Sequence, residues 1–182
     1  MKTQLIIIVM LLLGAYQQVK AQTGIRAGWN YSKIHDISNG GNSGFHAGIY
    51  KKISLLGLIG VEPSIQYSQK GAEVDNMGTS GKERLHYIDV PVLVRLGFIP
   101  LINVFAGPQA SFLVARKYDG ATNVSSINEL SQFDMGGVVG VGVNLPLGFN
   151  VQGSYDFGFS DLNYNDFESK NRLIKVSIGK NF

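Results

Sequence analysis

Apolar residues recur at every second position over most of this chain. Ile59, Val61, Pro63, Ile65 and Tyr67 are separated by Gly60, Glu62, Ser64 and Gln66. Successive side chains of a strand point to opposite faces, so this segment has one apolar and one polar face. The pattern returns from Ile88 to Phe98, Val104 to Val114, Val139 to Leu145, Phe149 to Phe157 and Ile174 to Ile178. Weaker runs lie from Ile25 to Tyr31 and from Phe45 to Ile49. The longer of these runs, 59–67, 88–98, 104–114 and 149–157, span about ten residues; a tilted membrane-crossing strand needs roughly 9–11, a soluble strand about five or six. The alternation therefore predicts an all-β chain, a closed up-and-down antiparallel transmembrane β-barrel of about eight strands.

The connections between these segments alternate in length. Residues 34–43, 69–84, 117–131 and 160–171 are long and polar, whereas 53–57, 99–102 and 145–148 are short. Outer-membrane barrels pair short periplasmic turns with longer extracellular loops. With the N-terminus on the periplasmic side, the order long, short, long, short, long, short, long brings the C-terminus back to the periplasm.

The N-terminus supplies the export signal that such a barrel requires. Lys2 is followed by an unbroken apolar run from Leu5 to Leu13, and Val19-Lys20-Ala21 has the spacing of a cleavage site. This predicts a signal peptide over 1–21 and a barrel domain over 22–182. The apolar run is too short to cross a membrane as a helix, which takes roughly 20 residues.

Composition narrows the functional classes. Charged residues are 16% of the chain, glycine is frequent at 23 of 182 residues, and cysteine is absent. Thiol catalysis, cysteine zinc sites and lipid anchoring through cysteine are excluded. The net charge of +3 is no basic stripe of the kind nucleic acid needs, so no nucleic-acid partner is expected.

Direction of the apolar face separates a membrane barrel from an exported soluble lipocalin-like ligand-binding barrel, which keeps its apolar residues inside. The polar face here carries small and amide groups, among them Gly28, Asn30, Gly60, Ser64, Gly107, Gln109, Gly140, Ser154 and Ser177. They suit a narrow lumen filled by side chains. It also carries Arg26, Glu62, Asp89, Arg95 and Lys175 at mid-strand. Facing lipid, a basic group near the midplane costs roughly 2–4 kcal/mol; enclosed together, both signs form a lumen ion network. Aromatic residues gather at the ends of the apolar face: Tyr31, Phe45, Tyr67, Phe133, Phe157 and Phe159 at the outer ends, Phe98, Phe149 and Phe182 at the inner ends. Two aromatic girdles at the lipid–water boundaries are expected from this. Pro63, Pro91 and Pro108 fall inside strands and remove ladder donors, so bulges are expected there.

Several stretches resemble a known family. Val61-Glu62-Pro63-Ser64-Ile65-Gln66-Tyr67-Ser68-Gln69-Lys70-Gly71, Tyr87-Ile88-Asp89-Val90-Pro91-Val92-Leu93 and Phe105-Ala106-Gly107-Pro108-Gln109 are similar to the small porin-family outer-membrane β-barrel proteins of Bacteroidota-type Gram-negative bacteria, as is Gly24-Ile25-Arg26-Ala27-Gly28-Trp29-Asn30-Tyr31-Ser32. The resemblance covers essentially the whole chain after the leader. It implies localisation in the cell outer membrane, contact with outer-membrane lipid, and insertion by the outer-membrane assembly machinery. That machinery reads a terminal aromatic, here Phe182; the position two residues earlier, often aromatic in the family, is Lys180. The three prolines recur in the family, and it supplies no catalytic residues.

Candidate chemistry is sparse. His35, His46 and His86 show no metal-ligand spacing, and no metal or cofactor is expected. Gly136-Gly137-Val138-Val139-Gly140-Val141-Gly142 lacks the Gly-Lys-Ser/Thr ending and the following helix of a phosphate loop. Glu62 and Asp89 read as ion-network members rather than a general acid and base. Ser43 with His46 is the one weak hydrolytic pairing. The remaining candidates are the polar connections from Asp75 to Arg84 and from Lys117 to Gln132, since loops on rigid barrels carry binding function. The expectation is a non-enzymatic barrel with a structural or surface-interaction role through these loops. The alternatives are a narrow channel for small or apolar solutes and the soluble ligand-binding barrel.

Overall fold

The computed structural model describes residues 20–34, 40–55, 58–76, 79–97, 99, 101–119, 133–159, 162–164, 167–169 and 171–182. Among these residues ten strands follow one another: β1 (Lys20–Ile34), β2 (Gly40–Leu55), β3 (Ile59–Asn76), β4 (Thr79–Gly97), β5 (Ile102–Asp119), β6 (Phe133–Asn144), β7 (Phe149–Gly158), β8 (Leu162–Tyr164), β9 (Phe167–Ser169) and β10 (Asn171–Asn181). Eight of them close a barrel in the order β1-β10-β7-β6-β5-β4-β3-β2, and β8 pairs with β9 as a separate hairpin. Every barrel pair is antiparallel, and closure is made by β1 against β10, with Gly24 opposite Asn181 and Ile34 opposite Asn171. Of the expected leader, only Lys20 and Ala21 lie among the described residues, and both pair with β2.

The faces are arranged as in a membrane barrel, not a soluble one. Outward-pointing Ile25, Ile49, Ile65, Val141 and Ile178 are each more than half exposed, whereas Arg26, Glu62, Asp89, Arg95 and Lys175 are buried inside. A soluble barrel would invert this, because burying apolar area is what drives its folding. Here the apolar exterior is complementary to hydrocarbon, and closure leaves no strand edge unpaired within it.

The lumen is filled. Leu85, Tyr87 and Leu113 form one buried apolar cluster, and Leu93, Phe105 and Val138 form another. The glycine run of β6 makes room for the second. A Cβ on Gly140 would strike the Phe105 ring, and one on Gly142 would strike Asn103. The run is thus a strand whose inner face gives space to its neighbours, with no phosphate cradle.

The prolines differ from expectation. Pairing lapses beside Pro63 and beside Pro91 and Pro108, yet the register resumes unchanged on the far side: Pro63 opposes Val92 before Gln66 opposes Asp89, and Pro91 opposes Gln109 before Val94 opposes Ala106. No bulge is inserted. The two register shifts lie elsewhere, between Gly41 and His46 and between His86 and Tyr87. A missing donor deletes a rung without adding a residue, which is the physical reason the ladder tolerates these prolines.

Residues 69–84 are also not the open loop that their polarity predicts. β3 and β4 continue as a hairpin until Asn76 opposes Thr79. β4 is 19 residues long and β7 only 10; at about 3.3 Å per residue the difference is roughly 30 Å of strand. Among the described residues, β5 beyond Phe112, which opposes Phe133, has only β4 beside it. Among the described residues, β3, β4 and β5 thus run on at the long-loop end as a blade past the point where β6 stops pairing with β5.

Candidate functional site

The barrel interior holds the charged groups, and the strand register sorts them into two clusters. Towards the short-turn end, Arg26 of β1, Glu62 of β3 and Arg95 of β4 converge. Arg26 Nη1 donates to Glu62 Oε1 at 2.8 Å, and Arg95 approaches Glu62 Oε2 through Nε at 2.7 Å. Arg95 also donates to Asn103 Oδ1 and to Gln152 Oε1, both at 2.6 Å. Each guanidinium lies over an aromatic ring: Arg26 4.1 Å from the centroid of Tyr50 and Arg95 4.3 Å from that of Phe105. Planar forks that hydrogen-bond along the edge and stack on the face suit enclosed arginine.

The second cluster lies towards the long-loop end. Asp89 accepts from Lys70 Nζ at 2.9 Å, from Ser111 Oγ at 2.7 Å and from Lys175 Nζ at 3.2 Å. Lys175 also pairs with Asp156 at 2.7 Å. Lys70 and Asp156 are members that the alternation alone did not single out. Lys70 sits where the expected loop was to begin, and Asp156 is one of several polar residues on β7. The five ions read from the sequence thus divide into Arg26, Glu62 and Arg95 on one side and Asp89 and Lys175 on the other.

Between the clusters runs an uncharged relay. Asn30 Nδ2 donates to Phe45 O, Ser68 Oγ and Gln69 O at 3.1–3.2 Å. Its Oδ1 is therefore the acceptor facing His46 Nδ1 at 2.5 Å, and His46 Nε2 faces Ser177 Oγ at 2.7 Å. With the proton on Nδ1, Nε2 accepts from the serine hydroxyl. The order serine–histidine–asparagine is that of an activated nucleophile. Here, however, all three side chains are buried at mid-lumen, and Ser177 lines none of the cavities described below. The relay satisfies buried polar groups. Ser43 is not part of it, because Ser43 is exposed on the outer face of β2 while His46 points inward. His86 points outward and bonds the Tyr67 hydroxyl; His35 lies outside the described residues. Among the described residues no group of His, Asp and Glu is placed to hold a metal ion.

Free space inside is small and uneven. One cavity of about 20 Å³ lies among Ser32, Lys70, Gln109, Asp134 and Asp156, and another of about 10 Å³ lies beside Arg26, Glu62 and Gln152. Each has room for about one water. A third, of about 310 Å³, opens at the short-turn end between Lys52, Arg95, Asn103 and Asn144.

On the outer face the aromatic residues meet in a band near the long-loop end. Ring centroids are 5.4 Å apart for Phe45 and Tyr67, 5.2 Å for Phe112 and Phe133, 5.2 Å for Phe157 and Phe159, and 5.9 Å for Trp29 and Tyr31. Trp29, Phe112 and Tyr155 belong to this band by contact, although the sequence pattern placed them within the apolar rows. At the other end Phe149 and Phe182 are exposed, and Lys180 lies over the Phe149 ring. Phe98 lies outside the described residues.

The sequence model of the family described as outer membrane protein beta-barrel domain matches residues 15–164. Among solved structures, the chain is similar to Neisserial surface protein A, with a TM-score of 0.65 and 12% identity over 90% of this chain and 99% of that one. It is also similar to Ail, the attachment invasion locus protein of Yersinia pestis, in complex with the heparin analogue sucrose octasulfate, with a TM-score of 0.59 and 15% identity over 90% of this chain and 99% of that one. At these identities the likeness is one of fold. No curated protein sequence matches the chain.

Proposed function

Because the chain belongs to the outer membrane protein β-barrel domain family, and so is an outer-membrane protein, we propose that it serves as a non-enzymatic surface-interaction protein whose β3–β5 blade is the recognition element. The observation that carries this reading is the inequality of the strands. β3, β4 and β5 are 18, 19 and 18 residues long, while β7 and β10 need only 10 and 11 to complete the barrel. At its base the extra length still supplies Leu85 and Leu113 to a buried lumen cluster; beyond them it is additional paired strand. It holds a rigid, paired sheet outside the lipid, where a flexible loop would cost more to order on binding. The blade's register sets Arg84 opposite Lys117 and Leu85 opposite Arg116, so these two rungs of the β4–β5 pair carry three basic residues.

A narrow channel is the competing reading. The ion pairs and apolar clusters across the lumen oppose it, since the two inner cavities hold about one water each. Export and assembly belong to the same proposal. Cleavage after Ala21 leaves β1 starting at Gln22, still opposite Lys52, and Phe182 supplies the terminal aromatic for the assembly machinery. Mass spectrometry of the protein from outer membranes should give an N-terminus at Gln22; an intact leader would contradict that part.

The functional test replaces residues 71–84 with a two-residue Asn-Gly turn between Lys70 and Leu85, which already oppose each other. Cells carrying either form are compared for adhesion to heparin-coated surfaces, a probe chosen because Ail was crystallised with a heparin analogue. The proposal predicts that the shortened protein still reaches the membrane as a barrel and loses adhesion. Equal adhesion by both forms, together with stepwise conductance in planar bilayers, would favour the channel.

A further inference from the structure

The short-turn end of the lumen carries more positive charge than its own acid can balance. Arg26, Arg95 and Lys52 face this end from β1, β4 and β2, and Glu62 is its one carboxylate side chain among the described residues. Glu62 is fully engaged by the two guanidinium groups. The ammonium of half-buried Lys52 has no hydrogen bond or ion pair among the described residues. Partly enclosed positive charge without a counter-charge is costly, which makes the site receptive to an anion.

Space for that anion is present in front of Lys52. The cavity of about 310 Å³ is lined on its polar side by Lys52, Ser54, Arg95 and Asn103, and on its other side by Leu58 and Ile99 from the short turns. Asn103 uses its carbonyl oxygen to accept from Arg95, so its amide nitrogen remains a donor on the wall. Two glycines keep the space open. Gly60 and Gly97 are both on the lining, and a Cβ built on Gly97 would meet only Leu58 O at an ordinary 3.7 Å. At Gly97 the space is thus kept by choice of side chain, whereas at Gly60 a Cβ would crowd Ile53 O at 3.2 Å.

We propose that this periplasm-facing vestibule is a binding site for a small organic anion, a phosphate or carboxylate that carries a short apolar group. The anionic end pairs with Lys52 and takes hydrogen bonds from Ser54 and Asn103, while the apolar group lies against Leu58 and Ile99. The site is independent of the blade, at the opposite end of the barrel.

The test is calorimetric titration of butyl phosphate and of inorganic phosphate into the purified folded protein in an uncharged maltoside detergent at low salt. Butyl phosphate is expected to bind, and more tightly than inorganic phosphate. Lys52→Gln is expected to weaken binding roughly ten- to a hundredfold, the range for removing a charged hydrogen-bonding partner, and Lys52→Arg to restore most of it. Gly97→Leu fills the vestibule without removing a charge and is expected to weaken butyl phosphate binding as strongly. It also keeps the proposal testable if Lys52→Gln fails to fold. No binding of butyl phosphate, or binding unchanged in both Lys52→Gln and Gly97→Leu, would overturn the proposal. Inorganic phosphate binding as tightly as butyl phosphate would overturn the role of the apolar wall.

Discussion

At the residue scale the lumen behaves as a set of paired ions held out of water, and the energetic asymmetry of such pairs gives direct predictions. Removing one partner strands the others. Glu62→Gln leaves two buried guanidinium groups without their carboxylate and should lower stability by about 3–5 kcal/mol, read as a lower urea midpoint for loss of the folded gel band. Asp89→Asn should also destabilise, because Lys70 loses its carboxylate partner while Lys175 loses one of two and keeps Asp156. Combining Asp89→Asn with Lys70→Met should cost less than the sum of the two single changes, since they share a partner; strict additivity would show that the pair is not coupled. Gly140→Leu should destabilise through collision with Phe105, and Phe105→Ala should relieve part of that loss. Which residues face inward is legible in the sequence, because the strand period is two. Their division into two clusters is not. It depends on the register across strands far apart in sequence, such as Lys175 reaching Asp89 from β10 to β4, and on Lys70, whose position beyond the apolar row disguised it as a loop residue.

At the element scale the sequence and the structure part at the water boundary. Within lipid, one face must be apolar and the other must not, so the alternation is clear and its strands are readable. Above the lipid the blade's sequence is polar at both odd and even positions, and the period of two leaves no trace in hydrophobicity. Residues 69–84 therefore read as a loop, whereas 69–76 and 79–84 are paired strand. The blade should be separable: the intact protein and the protein shortened between Lys70 and Leu85 should both shift mobility on boiling. Loss of the shift would show that the blade is needed to close the barrel. The prolines follow a related logic. Each deletes a donor without changing the count of residues, so Pro91→Ala should leave register and folding yield unchanged, checked by the amide hydrogen-exchange pattern of β4 and β5. A one-residue shift of that pattern would mean that proline sets the register.

At the scale of the whole molecule, the account rests on one inversion: apolar side chains outside, charged ones within. The inversion was legible because the charges of both signs share parity with the small residues, and only an enclosed lumen can accommodate that combination. The function was less legible, since an interaction surface in water carries no periodic signature and its partner is not written in the chain. The chain's one tryptophan reports on the inversion directly. Trp29 lies on the outer face of β1, 47% exposed, opposite Phe45 and Val176 and close to Tyr31. The decisive measurement is its fluorescence in vesicles of phospholipids brominated at successive acyl-chain depths. The account predicts strong quenching, greatest for bromines placed near the headgroups because Trp29 belongs to the aromatic band, and little quenching by aqueous iodide. Emission indifferent to brominated lipid at every depth would place Trp29 away from the acyl chains and contradict the outward apolar face.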